Sequence, residues 1–249
     1  MSAIEKVVIN YCGKDTHFTS LQFREQEIRF FISNPEILER IRGSLQNELG
    51  LLNFWPVNLG GAEHVEKTLR LLSKNSGPNF KYSRDEIDNW NLQEWMEENL
   101  NRWFRSAHLD QLSKGRFGRT TENISEAQSF EDTIKQVAAF ENTYIALLPV
   151  SNWSAVFELL NFGSFNACPE WYVHKKITEY WNRKFGLSLQ SLTHDSLTFS
   201  IKNPPKTKDQ CMELALEHLV YCPDQEPADS LEEYATWIQD KPYWKFWWD

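Results

Sequence analysis

The sequence has no run of apolar residues approaching the roughly 20 that a membrane-spanning helix needs, so a helical membrane protein is not expected. Its start, Met1 to Ile9, is too short in its apolar part and too charged for a secretory signal. Cysteine is scarce. Cys12, Cys168, Cys211 and Cys222 form no CxxC or other close pair, which suits reduced thiols in a cytoplasmic protein. Neither GxGxxG nor a GK[ST] ending occurs, and Gly60-Gly61 fits no phosphate-loop pattern. No internal repeat is visible. Basic residues are nearly missing from the last stretch. Asp209 to Asp249 holds ten acidic residues against Lys241 and Lys245, a balance of −8. Phosphate-backbone binding needs clustered Lys and Arg, so this half is not expected to hold nucleic acid.

What is present points to a folded chain. The 249 residues are 41% hydrophobic and 14% aromatic, enough for one large domain or two small ones. The net charge of −9 reads either as a solvated surface or as a steering field for a basic partner.

Along the chain, Lys6–Cys12, Phe18–Phe23 and Glu27–Ile32 read as strands, and Ser33-Asn34-Pro35 opens a helix with Gly50 as its stop. A short apolar run follows at Leu51–Val57, then a helix over Ala62–Ser73. Leu92–Leu112 reads as a longer helix. Arg102, Arg105, Lys114, Arg116 and Arg119 there interleave with Trp103, Phe104 and Phe117, a pattern that could hold a single strand but more simply marks a solvated basic face. A polar stretch over 115–128 separates two lobes, 1–128 and 142–249. Asn142–Val150 reads as a buried strand, with Ser151 or Ser154 capping a short helix to Leu160. Pro169–Phe185 reads as a helix ended by Gly186. Leu187–Thr193 and Ser196–Ile201 then alternate around His194-Asp195, and Asn203-Pro204-Pro205 breaks the chain. Thr207 caps a helix to Tyr221, and Ala228–Gln239 forms the last one. Tyr243 to Asp249, with three Trp and a Phe, is expected to pack as a closing strand, Trp247 and Trp248 sealing the core. The fold class is α+β, with mixed or antiparallel sheets flanked by helices.

One ordered series runs through the second lobe: Gly163-x-Phe165-Asn166-x-Cys168-Pro169, Trp181 with Phe185-Gly186, Asp195, Pro204-Pro205, Tyr221-Cys222-Pro223-Asp224 and Phe246-Trp247-Trp248-Asp249. In this series residues 144–249 resemble the bacterial domain-of-unknown-function 4253 family. Phe165 stands where that family has Trp, a conservative departure. The resemblance implies an α+β domain with Gly163, Asn166, Cys168, Pro169, Trp181, Cys222, Trp247, Trp248 and Asp249 as structural motif residues. It implies no agreed catalytic set, and it brings an association with bacterial toxin–immunity neighbourhoods.

Chemical readings are weighed against plain packing. Cys168, His174, Cys222 and Asp224 are zinc-type ligands, but Cys168-x5-His174 and Cys222-x-Asp224 lack finger spacing. Cys168 at the opening of a helix could have a lowered thiol pKa, yet His174, nearly two turns on, would face elsewhere, and no direct pair is expected. Adjacent acids such as Glu232-Glu233 point apart on a helix and give no acid–base pair. Asp224 and Asp249 end apolar motifs and would need donors, which suits anchoring of the tail.

The expected function is a cytosolic bacterial immunity (antitoxin-like) protein. It would need no cofactor or metal and would bind a cognate toxin, possibly a nuclease, through Asp224, Glu226, Asp229, Glu232, Glu233 and Asp240. The alternative is a small-ligand or enzymatic domain with an aromatic pocket using Cys168, His174, Asp224 and Asp249.

Overall fold

The computed structural model describes residues 1–23, 26–74, 83–103, 143–224 and 230–249. In chain order these form α1 (Ala3–Cys12), β1 (Phe18–Phe23), β2 (Gln26–Ser33), α2 (Pro35–Leu51), β3 (Trp55–Asn58), α3 (Ala62–Lys74), α4 (Arg84–Asp88) and α5 (Leu92–Trp103). There follow β4 (Thr143–Leu148), α6 (Ala155–Leu160), α7 (Trp171–Phe185), β5 (Leu187–Leu192), β6 (Ser196–Ile201), α8 (Lys208–Tyr221), α9 (Leu231–Ile238) and β7 (Tyr243–Trp247). The fold is α+β. The chain divides into two compact units: residues 1–76, 123–160 and 189–194, and residues 77–122, 161–188 and 195–249. No helix among the described residues is long and apolar enough to cross a membrane.

In the first unit β1, β2, β4 and β3 pair antiparallel in that order, and β5 joins β3 in parallel at Asn58 and Ser191. The sheet is therefore mixed. Ile145, Ala146, Leu147 and Leu148 of β4 are all buried, which explains why this central strand reads as a continuous apolar run. Val8, Phe31, Leu45, Leu49, Ile145 and Leu147 make the core.

Lys6–Cys12 is helix, not strand. The Ser2 hydroxyl accepts from the Glu5 N–H at 3.2 Å and the Glu5 carboxylate accepts from the Ser2 N–H at 2.7 Å, a complete capping box. That cap, with Val8 buried against the core, outweighs the β-branched run Val7-Val8-Ile9. Similarly, α2 passes through Gly50, and the left-handed turn falls on Asn53 at φ 57°. Asn tolerates that conformation better than most residues with a side chain.

In the second unit α7 ends as expected. Gly186 is left-handed at φ 69° and its N–H returns to the Asn182 carbonyl at 2.9 Å. Thr207 and Gln210 form a capping box on α8. Ser230 caps α9, its hydroxyl accepting from the Glu233 N–H at 3.1 Å. β6 and β7 pair antiparallel, Leu197 against Phe246 and Phe199 against Trp244.

Strand alternation then splits the aromatic tail. Trp244, Phe246 and Trp248 are buried, whereas Trp247 points outward and is 43% exposed. Only Trp248 of the two adjacent indoles seals the core. Inside, Trp181 stacks on Phe246 with centroids 5.6 Å apart, and Trp244 and Tyr221 meet Trp181 edge-on.

Candidate functional site

The loop before α7 is tightly wound. Asn161, Gly163, Ser164 and Asn166 all have positive φ. At Gly163 this is a steric requirement as well as a conformational one. A Cβ there would lie 1.9 Å from the Pro169 carbonyl oxygen and 2.9 Å from His174 Nε2. The Ser164 N–H donates to that carbonyl at 3.0 Å, and the Cys168 N–H donates to the Phe165 carbonyl at 2.8 Å.

These turns bring Cys168 back under the helix. Its Sγ lies 3.4 Å from His174 Nε2, although sequence spacing along a helix sets the two apart. The difference arises because α7 begins at Trp171 with Glu170 as N-cap. Cys168 is in the loop, not in the first turn, so helix periodicity does not govern it.

His174 Nδ1 lies 2.5 Å from the Tyr221 hydroxyl. The Pro169 carbonyl also takes a hydrogen bond from the ring. A carbonyl only accepts, so Nε2 carries the proton and Nδ1 accepts from the Tyr221 O–H. Phe162 and Trp248 close over the imidazole with ring centroids 5.0 and 5.4 Å away. Burial lowers the His174 pKa to about 3. Burial, then the charges of Cys222, Asp224 and Glu170, pushes the Cys168 thiol well above its usual value, and burial does the same to Tyr221. All three groups are neutral. The arrangement is a staple that ties the 161–169 loop to α7 and α8, with no thiolate–imidazolium pair.

A second histidine lies in the same aromatic core. His218 Nδ1 is 2.8 Å from the Tyr234 hydroxyl, and the rings of Trp244, Trp181 and Phe246 stand 4.6, 4.9 and 4.9 Å away. Burial lowers its pKa to about 3. Beside it the buried Glu217 carboxylate accepts from Trp181 Nε1 at 2.7 Å and from the Tyr180 hydroxyl at 2.8 Å, with Lys184 Nζ at 3.7 Å. Sequence reasoning missed Glu217 and His218 as a buried polar pair. The available signal was an apolar run, Leu214-Ala215-Leu216 and Leu219-Val220, flanking them on both sides.

The other expected positions are scattered over the second unit. Asp224 is half-buried, and its Oδ2 accepts from the Asp249 N–H at 3.3 Å. The Asn166 side chain donates to the Asp249 carbonyl, and Cys222 Sγ donates to the Trp247 carbonyl at 3.0 Å. Glu232 is half-buried, while Glu233 and Asp240 are exposed. Glu226 and Asp229 lie outside the described residues, as does the basic interval beyond residue 103. Among the described residues no group of three His, Cys, Asp or Glu is placed to hold a metal ion.

A family model described as a domain of unknown function (DUF4253) matches residues 144–249. That span runs from β4 to β7 and contains every motif position from Gly163 to Asp249. No curated protein and no solved structure matches the chain.

Proposed function

We propose that the chain is a protein-binding module of the immunity (antitoxin-like) kind, acting in a bacterial cytoplasm by neutralising a basic toxin or effector. One observation carries the reading: the core cysteine and histidine side chains are sealed, while acidic side chains other than Glu217 lie at the surface of α8 and α9. Cys168 and His174 are neutral beneath Phe162 and Trp248, and Tyr234 and three aromatic rings enclose His218. Glu213, Glu233 and Asp240 are exposed on or near α8 and α9, with Glu232 half-buried beside them. A carboxylate-rich surface on a rigid aromatic core attracts a cationic partner and fixes its register. The aromatic-pocket alternative needs Cys168, His174, Asp224 and Asp249 gathered around an accessible space. Instead Asp224 is engaged by the Asp249 main chain.

Co-expression with the product of the neighbouring gene tests the reading. A stoichiometric complex is expected that weakens as salt rises, together with protection of cells that make the partner. If no neighbouring product binds and no protection is seen, the immunity role is wrong.

A further inference from the structure

Alternation along β7 lays out a second pattern on the side away from the core. Trp244, Phe246 and Trp248 turn inward, so Tyr243, Lys245 and Trp247 turn outward beside Ser200, Thr198 and Ser196 of β6. The register continues past the strand ends. The Ile201 N–H donates to the Pro242 carbonyl at 2.7 Å, which sets Lys202 across from Lys241. Lys206 is drawn to the same end: its carbonyl accepts from Gln239 Nε2 at 2.9 Å, and the Pro205 carbonyl accepts from the Asp240 N–H at 3.0 Å. One outward stripe therefore runs Lys241, Tyr243, Lys245, Trp247, basic and aromatic in turn, with two more lysines at its start.

The charge on this stripe differs from the count along the sequence. Among the described acids after residue 208, Glu213 bonds Lys184, Glu217 is buried, and Glu232 and Glu233 stand in the first turn of α9. Asp209 shares the first turn of α8 with Lys208. Burial, then the Asp240 charge, raises the pKa of the Cys211 thiol, so Asp240 lies toward α8 although it adjoins Lys241. Asp195 and Asp249 border the far end, with Asp224 accepting from the Asp249 N–H. The stripe is basic at its Lys241 end and acidic at its Trp247 end. Lys202, Lys206 and Lys241 are exposed and, unlike Lys184, form no ion pair among the described residues. The Trp247 indole is 43% exposed, and its Nε1 donates to Asp195 Oδ2 at 3.1 Å, which holds the ring in one orientation.

We infer that this stripe is a binding face for single-stranded nucleic acid. Lys202, Lys206 and Lys241 meet the phosphates, and a base stacks on the Trp247 indole. The inference goes beyond the immunity reading and does not rest on it. From Lys241 to Trp247 the extended chain spans roughly 20 Å, room for a few unstacked nucleotides. Phosphates ask for positive charge without a fixed donor geometry, and lysine, a mobile point charge, supplies it. A duplex keeps its bases stacked inside, so it could use the lysines but not the indole. An acidic peptide would likewise meet the lysines and leave the indole bare. The carboxylates around Trp247 repel phosphate, so the strand's charge is directed to the lysine end while a neutral base reaches the ring.

The test uses the whole chain and a fluorescein-labelled oligothymidylate, with binding followed by anisotropy as salt is raised. The oligonucleotide is expected to bind severalfold more tightly than a duplex of equal length, a polyglutamate peptide or phosphatidylserine vesicles. The logarithm of the affinity should fall with that of the salt concentration by about 0.7 for each phosphate contacted. Lys202→Gln together with Lys241→Gln should weaken binding at low salt and flatten that slope by about 1.4. Trp247→Ala should weaken binding about tenfold and leave the slope unchanged, whereas Trp247→Phe, which keeps a ring, should retain most of the affinity. Lys14→Gln, exposed in the first unit, should change neither affinity nor slope. Failure of the oligonucleotide to bind, equal binding of the duplex, peptide or vesicles, or an unchanged slope in the lysine pair would each overturn the face. So would an unchanged affinity in Trp247→Ala, or a slope lowered as much by Lys14→Gln, which would make the binding a property of the whole surface.

Discussion

The two units of the chain are built on different kinds of core, and the difference sets what each can tolerate. The first has a largely aliphatic cluster at its centre: Val8, Leu45, Leu49, Ile145 and Leu147 around Phe31, held mainly by dispersion and buried area. The second is aromatic and contains polar groups, with His174, Tyr221, His218, Tyr234 and Glu217 hydrogen-bonded between tryptophan and phenylalanine rings. An aliphatic core accepts changes of shape at modest cost and is indifferent to pH. A buried polar network specifies one arrangement and is sensitive to any change in geometry or protonation. Hydrogen exchange read by mass spectrometry resolves the two units and can follow each of the predictions below.

Gly163→Ala should break the comparison most severely. The new Cβ would meet the Pro169 carbonyl at 1.9 Å in a left-handed backbone at φ 107°. Backbone must move, and the His174 staple must move with it. A loss above about 4 kcal/mol is expected in urea unfolding of the second unit, with the first unit's protection unchanged.

Acid should come next. Burial holds both histidines neutral in the folded chain until about pH 3, whereas unfolded imidazoles take up protons below 6.5. Between those limits the unfolded state binds more protons, so stability falls as the pH falls. Above 6.5 neither ring contributes. The slope is about 1.4 kcal/mol per pH unit for each ring, so at pH 5 the two together cost about 4 kcal/mol. Replacing His218 and Tyr234 together by Phe removes donor and acceptor at once, and should halve the slope without a large cost at pH 7. An unchanged slope in that variant would mean that His218 is not shielded as described.

Tyr221→Phe is a finer probe of the staple. The ring and its packing on Trp181 and Trp248 remain, but His174 Nδ1 loses its donor. Leaving a buried acceptor unsatisfied costs roughly 1–3 kcal/mol, measurable as a shift in the urea midpoint at constant m.

Much of the fold was legible because local rules and burial agreed. The apolar run at Thr143–Leu148, the Thr207 cap and the Gly186 stop each follow from residue chemistry that the tertiary structure leaves in place. Three readings failed, each for its own reason. Lys6–Cys12 offered a strand-like composition, while its capping box, Ser2 to Glu5, lay just before the segment being read. The Cys168–His174 contact could not be read from spacing, because four residues with positive φ wind the chain between Asn161 and Asn166, and their combined path has no linear signature. Glu217 failed for a different reason. A glutamate on a helix ordinarily faces water, and here the indole of Trp181 and the hydroxyl of Tyr180, 36 and 37 residues away in sequence, together with the Lys184 ammonium at 3.7 Å, make its burial affordable.

The smallest expected effect has the opposite sign and sharpens the contrast between the two glycines involved. Gly43 lies within α2, exposed, with nothing within 4 Å of where a Cβ would stand. No left-handed φ protects its identity, so glycine there only adds freedom to the unfolded chain. Gly43→Ala should stabilise the first unit by about 1 kcal/mol, seen as a higher urea midpoint. The same atom added at Gly163 is expected to destroy a network, because the two positions differ in what surrounds them and not in what is added. Were Gly43→Ala to destabilise instead, helix α2 would have to bear a contact on that face, and the simple aliphatic picture of the first unit would need revision.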